Sequence, residues 1–180
     1  MFAPSDQRLV KRALENNKQA WLELVKRYEG LVYNYALRMV SNRDDALDLM
    51  QEVFLSVFRN LAAWRGESSF KNWMMTIAHH RCIEHYRRRK SFEADYDFEQ
   101  EASTADWDSP EAVYSGQQQG QRLVRAMQEL PIEQRVVVEL KFFQHFSLQE
   151  IAQQTETPLN TVKSRLYGAV SRLQELVEVV

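Results

Sequence analysis

The chain has 180 residues, a formal net charge of -2 and 44% hydrophobic residues, which suffices for one ordinary domain or two small ones. Its single cysteine, Cys82, excludes an intramolecular disulfide. No stretch approaches the roughly 18 to 20 consecutive apolar residues of a membrane span, and the N-terminus lacks the charged-then-apolar order of a signal peptide. We therefore expect a cytoplasmic protein without membrane insertion.

The first half of the chain predicts four helices, because apolar residues recur at helical spacing and no segment alternates with period two. The predicted helices are Asp6–Leu14 capped by Ser5, Lys18–Val40, Asp44 to about Ala63, and Phe70 to about Lys90. In the fourth helix, Trp73, Ile77, Ala78 and Cys82 are the predicted inner stripe. An all-α fold is the expectation for the whole chain.

The charge of the chain is segregated. Between Lys90 and Arg122 there is no lysine or arginine but there are eight acidic residues, which leaves 23 basic and 17 acidic residues elsewhere. A basic body with an acidic insert is typical of a protein that binds a polyanion. We therefore predict two small helical domains, 1–90 and 111–180, joined by an acidic flexible linker over 91–110.

The second domain predicts helices over 111–129 and 132–146 and then a helix-turn-helix. Ser147-Leu-Gln-Glu150 has the pattern of a capping box, which starts a helix. Thr157-Pro158 ends that helix because proline has no amide donor, and Asn160 is the predicted cap of the next one. The last helix leaves short polar and basic side chains on one side, which is what a helix entering the major groove needs.

The end of the fourth helix is strongly basic. The stretch from His79 to Lys90 carries five Lys or Arg residues and one acid, Glu84. Helix-dipole capping explains some of this charge, but four consecutive cations repel one another and a phosphate backbone would relieve the repulsion. Trp64, Phe70, Trp73 and Tyr86 lie nearby in the sequence, and basic charge with aromatics is typical of surfaces that hold unstacked bases. Such aromatics are more often core residues, and Trp73 could be either.

The sequence predicts neither a metal nor a cofactor. His79, Cys82 and His85 fall roughly on one helix face, but a zinc site needs a fourth ligand and no second Cys/His cluster exists. There is no glycine-rich phosphate loop, nucleophile elbow or His-Glu-x-x-His motif. We therefore do not expect an enzyme.

Three stretches together resemble a bacterial extracytoplasmic-function (ECF) sigma factor, a member of the small two-domain branch of the sigma-70 family. Asp45–Leu55 is similar to the core-polymerase-binding helix, and Phe70–Arg81 to the promoter-melting and minus-ten-reading segment. Leu130–Arg135, Ser147–Ala152 and Thr161–Leu166 are similar to the minus-thirty-five domain. The resemblance implies that 1–90 is sigma region 2 and 111–180 is sigma region 4. It also implies a protein that binds core RNA polymerase, directs it to promoters and helps to open the DNA.

The resemblance also implies three sets of contact residues. Residues facing the clamp helices of the polymerase's largest subunit would be Asp45, Asp48, Gln51, Glu52 and Leu55. Residues at the minus-ten element would be Ser68, Ser69, Trp73, His79, His80, Arg81, Arg87 and Arg88. Residues at the minus-thirty-five duplex would be Asn160, Thr161, Lys163, Ser164, Arg165, Tyr167 and Arg172. The resemblance is compatible with regulation by an anti-sigma factor or by a modifying kinase.

The chain departs from the family pattern at specific positions. Leu47 stands where an acid is frequent, which suggests weak binding to core polymerase unless another group supplies negative charge, for example a phosphorylated hydroxyl such as that of Ser56. His79 and His80 stand where arginine and asparagine are usual, which suggests pH-sensitive promoter opening. Glu156 stands where glycine is common, and a positive φ there would cost roughly 1 kcal/mol.

Two other functions fit parts of the sequence. The chain could be an ordinary DNA-binding regulator that uses only the helix-turn-helix, and it would then bind duplex DNA specifically without polymerase. It could also be a sigma mimic that binds an anti-sigma factor. The retained cations Lys163, Arg165 and Arg172 argue against a mimic, because a mimic has no use for them.

Overall fold

A computed structural model describes residues 4–40, 42–95 and 115–178, with side chains over 4–40, 42–92 and 120–177. These residues are helical without any strand, which confirms the predicted all-α fold. The chain divides into two compact units, one of Met1–Ala36 with Asp44–Glu101 and one of Leu37–Arg43 with Ala102–Val180. None of the helices in the described part is long and apolar enough to cross a membrane.

The first unit is built from four α-helices. They are α1 (Asp6–Leu14), α2 (Lys18–Met39), α3 (Arg43–Arg59) and α4 (Phe70–Asp95). A short 3-10 helix, Leu61–Ala63, follows α3 and packs against α1. The Ser5 hydroxyl accepts from the Arg8 amide and caps α1, as predicted.

Apolar side chains from all four helices form the core of this unit. Its fully buried members include Leu9, Leu24, Val32, Leu49, Val53, Val57, Met74 and Ala78. On α4 the buried apolar residues are Phe70, Met74, Met75, Ala78 and Cys82, and His79 is buried beside them, whereas Trp73 and Ile77 are only half-buried. Ala78 and Cys82 lie on the buried side as predicted, but the stripe is rotated toward Met74 and Met75 and away from Trp73 and Ile77. The helix also continues to Asp95, into the segment predicted as linker; the residues from 96 to 114 lie outside the described part.

The second unit is organised around its last helix. Its helices are α5 (Ser115–Gln128), α6 (Ile132–Val138), α7 (Leu148–Gln154) and α8 (Leu159–Glu178), and α8 packs against the other three. Met127, Leu130, Val138 and Ala169 form the buried cluster. The predicted helix over 132–146 is instead α6 followed by a π-helical turn, Glu139–Phe143.

Two buried charged residues stabilise the second unit. Arg135 is 8% exposed, and its guanidinium donates to the carbonyls of Met127, Gln128 and Leu130 at 2.6 to 3.1 Å, where α5 ends. Glu139 is fully buried and accepts from Arg38, in this unit's Leu37–Arg43 segment, at 2.7 Å. Backbone carbonyls thus accept from the buried guanidinium, and an ion pair satisfies the buried carboxylate, as the burial of charged groups requires.

The helix-turn-helix forms as predicted, with one difference. Ser147 and Glu150 make the reciprocal capping box, with distances of 3.1 and 2.7 Å. Glu156 has φ +50°, so it occupies the strained conformation that glycine would relieve. The prediction that Asn160 caps α8 is wrong. A cap at Asn160 would start the helix at Thr161, but α8 begins two residues earlier, at Leu159, and Asn160 lies in its first turn.

Candidate polymerase and promoter interfaces

One face of α3 carries the residues predicted to meet the polymerase. Asp48, Gln51 and Leu55 are exposed, and Asp45 and Glu52 are half-buried. Ala46, Leu49 and Val53 of the same helix are fully buried. The helical period thus separates a core side from a side that a partner can reach.

Two carboxylates on that face are ion-paired with the basic end of α4. The guanidinium of Arg88 lies 2.8 Å from both carboxylate oxygens of Glu52. Arg89 pairs with one carboxylate oxygen of Asp45, about two turns closer to the start of α3. The Arg88–Glu52 pair joins a predicted DNA contact to a predicted polymerase contact, and Arg89 follows Arg88 in the same basic run.

An apolar groove lies beside this face. It has a volume of about 670 Å³ and is lined by Trp21, Met50, Phe54 and Phe58, among other residues. The Trp21 ring packs edge-on against Phe58, with centroids 5.1 Å apart. Leu47 itself is 41% exposed on α3. The surface around the predicted polymerase contacts is therefore partly apolar, and Leu47 adds an apolar side chain where an acid would add a negative charge.

The loop before α4 is held in a defined shape. The Trp64 indole N–H donates to the Ser68 carbonyl at 3.1 Å, and Gly66 at the loop tip has φ +76°. The Ser69 hydroxyl accepts from the Asn72 amide at 3.1 Å and so caps α4. Residues 65–69 are all exposed. The loop presents Ser68 and Ser69 to solvent on a backbone fixed at both ends.

The predicted minus-ten residues of α4 separate into buried and exposed members. His79 is 5% exposed, so a direct base contact would require opening the core of the unit. Burial, and next the nearby His80, lower the pKa of His79 to about 4. His80 is exposed. Trp73 is half-buried against Phe70, with ring centroids 5.7 Å apart.

Arg81 is held by hydrogen bonds to other side chains, whereas the end of α4 is more accessible to DNA. Arg81 donates from Nε to the Ser56 hydroxyl at 3.1 Å and from Nη1 to Glu84 at 2.7 Å. Arg87 and Lys90 are exposed, and within the described part no ion pair to either was found. The end of the helix therefore offers cations that a phosphate can reach directly.

The polar face of α8 is open to solvent. Asn160, Lys163, Ser164, Tyr167 and Arg172 are exposed, and Tyr167 is 70% exposed. Thr161 and Arg165 are half-buried, and an Nη of Arg165 lies 3.4 Å from the Thr157 hydroxyl. Val162, Leu166 and Ala169 hold the opposite face in the core. This leaves the start of α8 free to enter a groove, as in a helix-turn-helix reader.

Some features of these surfaces were not predicted from the sequence. The hydrogen bond of Arg81 with Ser56 joins two helices, and that of Trp64 with Ser68 depends on the shape of the loop. A second apolar groove, of about 520 Å³, lies in the second unit and is lined by Leu123, Phe142, Phe143 and Leu173, among others. Phe142, which lines this groove, is 52% exposed. Among the described residues, no group of three His, Cys, Asp or Glu side chains could hold a metal ion.

Comparison with known families and proteins gives a consistent result. The family Sigma-70 region 2 matches residues 24–92, and Sigma-70 region 4 matches residues 120–173. The RNA polymerase sigma factor YlaC of Bacillus subtilis is 30% identical over 85% of this chain and 89% of its own length. The RNA polymerase sigma-H factor of Pseudomonas aeruginosa is 28% identical over 96% of this chain and 94% of its own.

A third relative and a solved structure agree with these matches. The ECF RNA polymerase sigma-E factor of Escherichia coli is 29% identical over 97% of this chain and 95% of its own length. The sigma factor RpoE of Bartonella quintana, solved with the anti-sigma factor NepR, shares the fold with a TM-score of 0.72 and 24% identity. That match covers 87% of this chain and 96% of the solved one.

The family, the relatives and the helix-turn-helix lead to one identity. The chain belongs to the extracytoplasmic-function branch of the sigma-70 family: it is an RNA polymerase sigma factor that directs promoter-specific initiation of transcription, and it is not an enzyme.

Proposed function

We propose that residues 1–90 act as sigma region 2 and residues 111–180 as sigma region 4, with 91–110 as the connecting linker. The two family matches, 24–92 and 120–173, fall within the proposed domains apart from two residues. In this division, region 2 binds core polymerase and opens the minus-ten element, and region 4 binds the minus-thirty-five duplex.

The exposed face of α3 is the proposed polymerase-binding surface. Its contact residues are Asp45, Asp48, Gln51, Glu52 and Leu55. The observation that supports this assignment is the split of α3 into a fully buried side and a side with exposed carboxylates. A cationic surface of the polymerase would be complementary to those carboxylates.

The loop 65–69 and the exposed residues of α4 form the proposed minus-ten surface. Ser68, Ser69 and His80 lie where an unstacked base can reach them, and Arg87 and Arg88 lie where phosphates can. Trp73 offers a half-buried ring beside them. His79 and Arg81 would act on this surface without contacting DNA: His79 packs in the core, and Arg81 joins α4 to α3.

The exposed start of α8 is the proposed minus-thirty-five surface. Lys163 and Arg172 would contact phosphates and base edges, together with Asn160, Thr161, Ser164, Arg165 and Tyr167. The short Asn, Thr and Ser side chains let the helix approach the groove closely. Because Glu156 adds a negative charge in the turn, we place the turn itself away from the DNA backbone.

The proposed partners are core RNA polymerase and promoter DNA in the cytoplasm. An anti-sigma factor is the proposed regulator, since the similar sigma factor of Bartonella quintana was solved in complex with one. The two apolar grooves offer surfaces on which a protein partner could bury apolar side chains.

In vitro transcription on fragmented genomic DNA of the source bacterium tests this function. Core polymerase with the full chain should initiate at discrete sites that share two spaced sequence elements, whereas core alone should not. Initiation that does not depend on the chain would contradict the proposal. Specific binding of the chain alone to duplex DNA, without initiation, would instead favour the ordinary regulator.

A further inference from the structure

The proposed polymerase-binding and DNA-binding surfaces of region 2 form ion pairs with each other. Arg88 is a proposed DNA contact and Glu52 a proposed polymerase contact, yet one nitrogen of Arg88 lies 2.8 Å from both oxygens of Glu52. Arg89, next in the same basic run, pairs with Asp45, another proposed polymerase contact. The basic end of α4 thus lies along the acidic side of α3.

Each pair restricts what its members can do for a partner. A carboxylate paired with an arginine presents less negative charge to a cationic protein surface, and a paired arginine presents less positive charge to a phosphate. All four side chains retain access to solvent, with exposures of 61% and 34% for Arg88 and Glu52, and 44% and 24% for Arg89 and Asp45. A partner can therefore replace either member without unfolding the unit.

Leu47 makes this pairing more important. Three of the proposed polymerase contacts are carboxylates, and two of them, Asp45 and Glu52, are paired with α4. Asp48 is the third, and no acid stands at position 47 to add to it. The negative charge available to polymerase therefore depends on whether Arg88 and Arg89 are engaged.

We propose that Arg88 and Arg89 neutralise the polymerase-binding carboxylates in the free protein and exchange them for DNA phosphates in the promoter complex. Phosphate contact with the arginines then releases Asp45 and Glu52 for polymerase, and polymerase contact with the carboxylates releases the arginines for DNA. By linkage the two partners strengthen each other's binding by the same factor. This inference rests on the proposed function of α3 and α4.

The expected size of the coupling follows from the exposure of the pairs. An exposed ion pair stabilises the free protein by only about 0.2 to 1 kcal/mol. Release of two such pairs therefore corresponds to a gain in affinity for either partner of between about twofold and thirtyfold. The effect should shrink with added salt, because screening weakens the pairs in the free protein.

The first experiment measures the affinity of the full chain for core polymerase without DNA. The variant Arg88→Gln with Arg89→Gln should bind core more tightly than wild type, by a factor in that range. The matched control is Arg87→Gln with Lys90→Gln. It removes the same charge from the same helix end, at positions for which no ion pair was found in the described part. The control should show a distinctly smaller gain.

The second experiment measures binding of the chain alone to a 12-nucleotide oligothymidylate at low salt. Asp45→Asn with Glu52→Gln should bind this strand more tightly than wild type, because Arg88 and Arg89 are released. Asp44→Asn with Asp48→Asn changes the net charge equally on the same exposed helix and is the control. It should gain less.

The outcomes separate the inference from the function on which it rests. Wild type that binds core, with no difference between the paired variant and its control, would overturn the inference and leave the proposed function intact. Failure of both wild type and Arg88→Gln/Arg89→Gln to bind core would overturn the two together. Equal gains in oligothymidylate binding by the carboxylate variant and its control would also overturn the inference.

Discussion

Ser56 of α3 accepts a hydrogen bond from Nε of Arg81 of α4 at a distance of 3.1 Å. Ser56 is 6% exposed, and Arg81 also reaches Glu84 on its own helix. This contact joins the proposed polymerase-binding helix to the proposed DNA-reading helix. It also places the Ser56 hydroxyl where a kinase has no access without disturbing the packing, so Ser56 does not suit the modification suggested by the sequence.

Replacement of Ser56 should therefore change stability rather than activity. Ser56→Ala removes the acceptor of a largely buried charged hydrogen bond and should lower the free energy of unfolding by about 1 to 2 kcal/mol. Ser68→Ala, in the exposed loop, should change it by less than about 0.5 kcal/mol. Urea unfolding of both variants is the measurement. A Ser56→Asp variant that binds core polymerase more tightly than wild type would contradict this interpretation and restore the phosphorylation hypothesis.

Leu47→Glu should strengthen binding to core polymerase. The side chain is 41% exposed on α3, so a carboxylate fits there without burial and adds charge next to Asp48. One favourable charge at an exposed interface position corresponds to a gain of up to about fivefold. Leu47→Gln, which has the same length but no charge, is the control for lost apolar contact. Equal affinities of the two variants in a titration with labelled sigma would show that charge at this position is irrelevant.

Trp64→Phe should impair promoter opening while leaving core binding unchanged. The phenyl ring can still pack on Phe70, which lies 5.4 Å from the indole centroid, but the N–H that donates to the Ser68 carbonyl is lost. A solvent-accessible hydrogen bond of this kind is worth about 1 kcal/mol, so opening should weaken several-fold. Permanganate reactivity of minus-ten thymines reports opening, and co-elution with core reports binding. A parallel loss in both assays would indicate general damage to the unit instead of a mispositioned loop.

His79 should make the stability of region 2 depend on pH below neutrality. Its folded pKa of about 4 lies below the ordinary 6.5, so the unfolded chain binds more protons between these values. The stabilising contribution is complete above about pH 6.5 and is lost as pH falls toward 4, by up to about 3 kcal/mol. His79→Gln should flatten this dependence in denaturant melts. An unchanged slope in the variant would assign the dependence to other groups.

The same burial changes the expectation for promoter opening. Between pH 6 and 8 His79 remains neutral, so it cannot by itself make opening pH-sensitive in that range. Opening that varied with pH in wild type and in His79→Gln alike would direct attention to the exposed His80.

Local signals predicted the helix-turn-helix well. The capping box at Ser147 and the break at Pro158 are short-range features, and both act on the backbone within one turn. The start of α8 differs from the prediction by two residues, because Asn160 is a good cap in isolation, whereas the Pro158 carbonyl already accepts the first helical hydrogen bond, from the Val162 amide. The π-helical turn at Glu139–Phe143 has no local pattern.

The buried side of α4 was harder to predict, and with it part of the candidate site. Ala78 and Cys82 were predicted correctly, but packing against the other helices selects Phe70, Met74 and Met75 instead of Trp73 and Ile77. That rotation places His79 inside and His80 outside. Ion pairs such as those of Arg88 and Arg89 join residues more than 30 positions apart, and no spacing rule within one helix reveals them.

Co-elution with bacterial core RNA polymerase on a sizing column, with wild type compared with Asp48→Lys, shows whether α3 binds the polymerase. Asp48 is an exposed carboxylate of the proposed polymerase surface, and Glu29→Lys on α2 supplies the same charge change outside it. We expect a stoichiometric complex for wild type and for Glu29→Lys, and no complex for Asp48→Lys. A complex that survives Asp48→Lys unchanged would contradict the assignment of α3 as the polymerase-binding helix.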